Sequence, residues 1–219
     1  MNRKLLFFFL AVILTCALTA CSQGNENEWE KVTSADQFEG TWEGNTAVTL
    51  NLEKFKELHP TLELNKNSAD VTLDYTIINT EGLTVGVVLT ANMKDLVDSG
   101  TEGDALWSEV KGQVESIGAG SFVQFYDATR TVTASVPYTK AQLQQIIDNG
   151  TIFVEINKPK TKIRVTYTED LKPLLESSLS GQEITADQVI KVVSEAVKSD
   201  SISVSPDGII KASLIATKQ

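Results

Sequence analysis

Cations, aromatic rings and long apolar runs are all in short supply in this 219-residue chain. Lys plus Arg number 19 against 29 Asp plus Glu, giving a formal net charge of −10. That balance removes the electrostatic driving force for wrapping a phosphate backbone, so nucleic acid is not expected as a partner. Aromatic residues make up only 7% of the chain, but 42% of it is hydrophobic. This is enough apolar material for a core and argues against wholesale disorder. Beyond residue 14 no segment is long or apolar enough for a transmembrane helix, which takes about 20 apolar residues.

The one long apolar run is at the start. Arg3 and Lys4 precede Leu5–Leu14, which is unbroken and apolar, and the run thins through Thr15, Cys16 and Ala17. It is too short to span a bilayer but suits the apolar region of a secretory signal. Leu18-Thr19-Ala20-Cys21 follows at the cleavage position. This tetrad resembles the lipobox of bacterial lipoproteins. The resemblance implies that residues 1–20 are removed, that Cys21 carries a diacylglyceryl thioether, and that its new N-terminus is acylated, commonly with palmitate. Cys16 competes poorly, because Leu14 and Thr15 do not fit the small residues the pattern requires before the cysteine. Two or three acyl chains hold a protein to a membrane, where one binds reversibly.

Removing Arg3 and Lys4 deepens the acidic balance by two charges. The lipid is then the membrane contact, and an acidic body is expected to stand off anionic headgroups. Cys21 becomes the sole cysteine, so no intramolecular disulfide can form. Ser22 rather than Asp follows the lipid cysteine. By the same resemblance this favours the outer membrane.

Residues 21–30 read as a lipidated, polar tether and residues 31–219 as one β-rich domain. Ser34-Ala35-Asp36-Gln37 has the spacing of a capped turn. Period-two alternation then marks strands. The clearest are Val48–Leu52, Val71–Ile77, Val85–Leu89, Val132–Tyr138 and Ile163–Tyr167; 121–126, 151–156, 201–204 and 209–216 also read as strands. Turn chemistry at 79–82, 127–130, 157–160 and 205–208 joins several as hairpins. Capping boxes at Thr139–Gln142 and Thr185–Gln188 open helices over 139–149 and 185–199, and a third helix covers 104–117.

The order helix–strand–turn–strand thus occurs three times, and 53–92 forms a degenerate fourth copy. The expected fold is β-rich α+β: a single antiparallel sheet or barrel of about nine strands, its hairpins joined by amphipathic helices. Gly40-Thr41-Trp42, after a helical turn and before an alternating strand, resembles the opening of lipocalins and related calycins. That resemblance implies, as the alternative, an up-and-down barrel with Trp42 plugging its closed end.

Chemistry-bearing constellations are few. His59 stands alone before Pro60. With Cys21 lipidated, this leaves no Cys/His zinc set, no Ser–His–Asp triad and no Cys–His pair. Gly-x-Ser-x-Gly, phosphate-loop and dinucleotide motifs are absent, and nothing singles out a glycosidase-type carboxylate pair. Asp98, Glu102, Asp104 and Glu109 bear comparison with a calcium loop, but Gly100 stands where a third-position oxygen ligand belongs. Lys158, Lys160, Lys162 and Arg164 recur at spacing two and form a candidate anion site, or the wet face of an edge strand. No enzyme and no cofactor are expected. Two functions are: a lipid-anchored binding protein for a small apolar or amphipathic ligand, or an interaction lipoprotein docking an envelope or host protein.

Overall fold

A computed structural model describes residues 29–58, 60, 63–80, 84–98, 103–117, 122–150, 152–179 and 183–219. The strands are β1 (Trp29–Lys31), β2 (Gly40–Asn51), β3 (Ser68–Asn79), β4 (Thr84–Asn92), β5 (Phe122–Tyr126), β6 (Thr131–Thr139), β7 (Ile152–Asn157), β8 (Lys162–Asp170), β9 (Val197–Lys198), β10 (Ile202–Val204) and β11 (Ile209–Lys218). The α-helices are α1 (Leu52–Phe55), α2 (Lys94–Val97), α3 (Gly103–Ile117), α4 (Lys140–Asp148), α5 (Leu171–Ser178) and α6 (Ala186–Ala196), and Ala35–Phe38 is a 3-10 turn.

All strands join one antiparallel sheet in the order β1-β7-β8-β11-β2-β3-β4-β6-β5, with β10 beside β11 and β9 beside β2. The path ends at β1 and β5 and is not closed among the described residues. An up-and-down meander would set consecutive strands side by side throughout. Here β4 lies against β6 and β8 against β11. The departure has a regular form. A hairpin, a helical segment and a second hairpin follow one another twice, and both times the second strands of the two hairpins pair, giving β3-β4-β6-β5 and β7-β8-β11-β10. Strand β2 joins the halves by lying between β3 and β11.

Alternation sets the two faces. Trp42, Val48 and Leu50 of β2, Val71, Leu73 and Tyr75 of β3, and Ala212, Leu214 and Ala216 of β11 are buried on one side. Helix α6 covers part of that side with Val189, Ile190, Val192, Val193 and Ala196, and α1 and α5 pack against it. Each fully buried large aliphatic side chain contributes about 1.5–3 kcal/mol, so this stripe is what holds the helix to the sheet.

The two predicted capping boxes and the predicted capped turn all form. The hydroxyls of Ser34, Thr139 and Thr185 accept from backbone N–H groups of the first turn, and Gln37, Gln142 and Gln188 reach back to the capping residues. One helix boundary needs correction. The stripe from Thr185 extends to residue 199 by periodicity, yet α6 stops at Ala196, and Val197–Lys198 is extended because it pairs with Thr49–Leu50 of β2. Likewise Trp29 and Glu30, assigned above to the tether, pair with Asn157 and Ile156 of β7.

Candidate functional site

Two places in the described fold gather polar groups that the core does not account for. The first is a fork in the sheet. Strand β2 pairs with β3 over all twelve of its residues, from Gly40↔Asn79 to Asn51↔Ser68. On its other side only Trp42 and Glu43 pair with β11, and then Thr49 and Leu50 with β9. Between these contacts β2 and β11 part.

Backbone groups exposed by such a parting must find other partners. The Tyr75 hydroxyl crosses over Gly44 and donates to the Ile215 carbonyl at 2.9 Å. The Ser199 hydroxyl donates to the Ala47 carbonyl at 2.8 Å, and the Ser213 N–H donates to the Ser201 carbonyl. Gly44 is required by this arrangement: a Cβ there would sit 2.4 Å from the Tyr75 ring and 2.5 Å from the Ile215 carbonyl oxygen. Outside the fork lies an open cleft of ≈ 530 Å³, lined by Ala47, Thr49, Ser194, Val197, Ser199 and Ser203 among others. Hydroxyls with Lys198 and Asp200 dominate its wall, so its chemistry suits a polar molecule and not an aliphatic one.

The second place is one end of the sheet, around the β7–β8 turn. Asn157 organises this turn: its side-chain oxygen accepts from the N–H groups of Thr161 and Lys162, both at 2.8 Å. Lys160 takes a positive φ of 56° at the tip. Lys158, Lys160 and Lys162 are exposed, and none of them makes an ion pair among the described residues. Lys218 joins them, because its N–H donates to the Thr161 carbonyl at 2.8 Å.

Arg164, the fourth member of the spacing-two series, is engaged differently. Its Nε donates to Glu155 at 2.6 Å, and its guanidinium lies 4.7 Å from the centre of the Trp29 ring. The spacing in sequence is therefore real, but three cations of the series reach outward and one is tied into the wall. Sequence reasoning missed Lys218, since only the β8–β11 register brings it here. The last alternating segment was ended at residue 216, whereas β11 runs on through Lys218.

Of the remaining sequence candidates, Asp98 and Asp104 contribute to neither place. Asp98 pairs with Lys94 at 3.1 Å, and Asp104 pairs with Arg130. Glu102 and His59 fall outside the described residues, as do the side chain of Glu109 and the whole segment holding Cys21. Among the described residues no three His, Cys, Asp or Glu side chains gather as a metal site.

The described region near Asp104 is instead built around Trp107. Its indole N–H donates to Asp127 at 2.6 Å, Lys111 meets the same carboxylate at 2.8 Å, and the ring stands edge-on to Phe125. Lys111, then Trp107, hold the Asp127 carboxyl below the usual carboxylate range. These bonds order the chain around a buried tryptophan. Compared with family models, with curated proteins and with solved structures, the chain finds no match.

Proposed function

We propose that this chain is a lipid-anchored, non-enzymatic protein of the bacterial cell envelope, held at Cys21, that works through its surface on an envelope or host protein. Anchoring rests on Leu18-Thr19-Ala20-Cys21 behind an apolar run of signal-peptide length. The choice of a surface-acting protein over a carrier of apolar ligand rests on one observation. The inner face of the sheet is occupied by its own side chains: Trp42, Leu73, Leu89, Ile163 and Leu214 are all at most 5% exposed. A carrier of apolar molecules needs an apolar hollow of a few hundred Å³ at such a place.

We read the sheet as open, with β5 as a usable edge. Phe122 and Tyr126 on that strand are 76% and 44% exposed, and aromatic side chains beside unpaired strand edges suit the addition of a partner strand. A second reading is supported by the fork cleft, whose hydroxyl lining would take a small polar ligand.

Two measurements test these readings. Metabolic labelling with an alkynyl fatty acid should mark the protein, and Cys21→Ser should abolish both the label and recovery with membranes. Native mass spectrometry of the protein extracted from its membranes should then show the chain plus its acyl groups and nothing more. A co-purifying apolar molecule overturns the surface-acting reading, whereas a polar one transfers the function to the fork cleft.

A further inference from the structure

We propose that β5 is the edge through which two copies of this chain join, antiparallel, into one continuous sheet with Gln124 on the two-fold axis. The inference rests on the open β5 edge proposed above and names its occupant.

Edges of native sheets are commonly defended by charge. Strand β1, at one end of the path, carries Glu30 and Lys31 among its three residues. Its neighbour β7 carries Glu155, paired with Arg164 of β8. The β5 end has no such defence. Strands β4, β6 and β5 follow one another to the edge without an Asp, Glu, Lys or Arg, although 22% of the chain is charged. Gly118-Ala119-Gly120-Ser121, leading into β5, is uncharged as well. Two copies of an acidic chain approach most easily where neither presents its charge, and this end offers such a place.

The order of residues points to a second copy and not to an arbitrary strand. Read outward from Gln124, the strand shows the same pattern in both directions: an apolar residue, Val123 or Phe125, and then an aromatic one, Phe122 or Tyr126. Directly opposite residues of an antiparallel pair point to the same face. With Gln124 opposite Gln124 of a second copy, exposed Phe122 meets exposed Tyr126, and Val123 meets Phe125, both of which pack against the core. This register pairs all five residues, whereas a slip by one would set inward side chains opposite outward ones.

Charges near the edge are compatible with this pairing. Asp127 falls opposite Ser121 in this register and already meets Lys111, and Arg130 meets Asp104. Glu102, Glu109 and Glu115, on α3 or just before it, add three negative charges to each copy. Salt should therefore strengthen the pair by screening them. Four rings of about 150–250 Å² each, partly covered already, hide with two short backbones well under the about 1,600 Å² of a standard interface. The pair is a weak one, in exchange with the free chain.

The test is cross-linking in cells that produce the full chain, with a short bis-maleimide and with the linked peptides mapped by mass spectrometry. Phe122, Gln124 and Tyr126 are exposed, so single cysteines there leave the core intact. Gln124→Cys should give at least about fivefold more dimer, linked through position 124 of both copies, than Thr72→Cys at an exposed site inside the sheet. Tyr126→Cys alone should fall to the Thr72→Cys level, because its two thiols stand about 13 Å apart in this register. Producing it together with Phe122→Cys should restore the yield. Gln124→Lys added to both chains of that mixture should remove the link again, by placing two cations on the axis. Equal yields from Tyr126→Cys alone and from the mixture overturn the paired register and the proposal with it. A link from Gln124→Cys to a different protein overturns the second copy as occupant and leaves the β5 edge standing. No link to any protein above the Thr72→Cys level overturns both.

Discussion

The two sides of β2 solve the same problem by different means. Towards β3 the strand is paired along its whole length, so each backbone group finds its partner by register alone. Towards β11 it is paired at two residues, and the opening beyond them is closed by Tyr75, Ser199 and the 199–201 segment. A ladder tolerates changes of side chain, because backbone makes it. A fork held by side chains does not. The fork side should therefore be the sensitive one, although it carries fewer hydrogen bonds.

Substitutions can break or sharpen this contrast. The largest effect is expected at the stem of the fork. Trp42 is fully buried between Lys218 of β11 and Ile77 of β3, and its indole N–H donates to the Phe38 carbonyl at 2.8 Å. Trp42→Ala should cost about 3–5 kcal/mol in denaturant unfolding. A loss below about 1 kcal/mol would mean that the stem does not hold the halves together. Gly44→Ala comes next. The added methyl meets both a ring and a backbone carbonyl at under 3 Å, and the expected cost is about 1–3 kcal/mol. Gly86→Ala is the control on β4, because the nearest atom to a Cβ there is 4.0 Å away.

Tyr75→Phe keeps the ring and removes the donor to Ile215, so about 1 kcal/mol should be lost. Hydrogen exchange should then quicken at Ser213–Ala216 and leave the β2–β3 amides as they were. An unchanged exchange pattern would place the closure of the fork elsewhere. The smallest effect is expected outside the fork. Lys140 joins the 3-10 turn to α4, and Glu39, then Asp36, push its ammonium up from 10.5 to about 12. A raised folded pKa means that this contribution is whole below pH 10.5 and is lost as pH rises through about 12. Lys140→Gln should flatten that part of the alkaline unfolding curve and leave the neutral midpoint almost unmoved.

Local features were legible in the sequence because their causes are local. Ser34, Thr139 and Thr185 announced their helical turns by residue type and by a glutamine three positions on. Alternation located nearly every strand. Helix α5 was overlooked although Asp170 caps it and Leu171, Leu174 and Leu175 follow at helical spacing. The alternating strand ending at Asp170 masked that change of period. Val197 was misread for a different reason. It continues an apolar helical stripe, and only its pairing with Leu50, far off in sequence, makes it extended. The fork and the basic end are of the same kind. Gly44 looks like any strand glycine until Tyr75 and Ile215 are brought to it from two other strands. Lys218 joins Lys158, Lys160 and Lys162 only through the register of β11 on β8.

The joining position of β2 also governs the order in which the molecule can be completed. Its β3 ladder can form as soon as residues 40–79 are available, but its stem waits for Thr217 and Lys218. Strand β1 waits in the same way for residues 155–157. Contacts so distant along the chain close slowly and late. A chain leaving a membrane pore in order from its N-terminus would keep its first strands unpaired on one side until nearly all of it had crossed. Slow closure would then be an asset, since a segment not yet locked into its sheet can still be threaded.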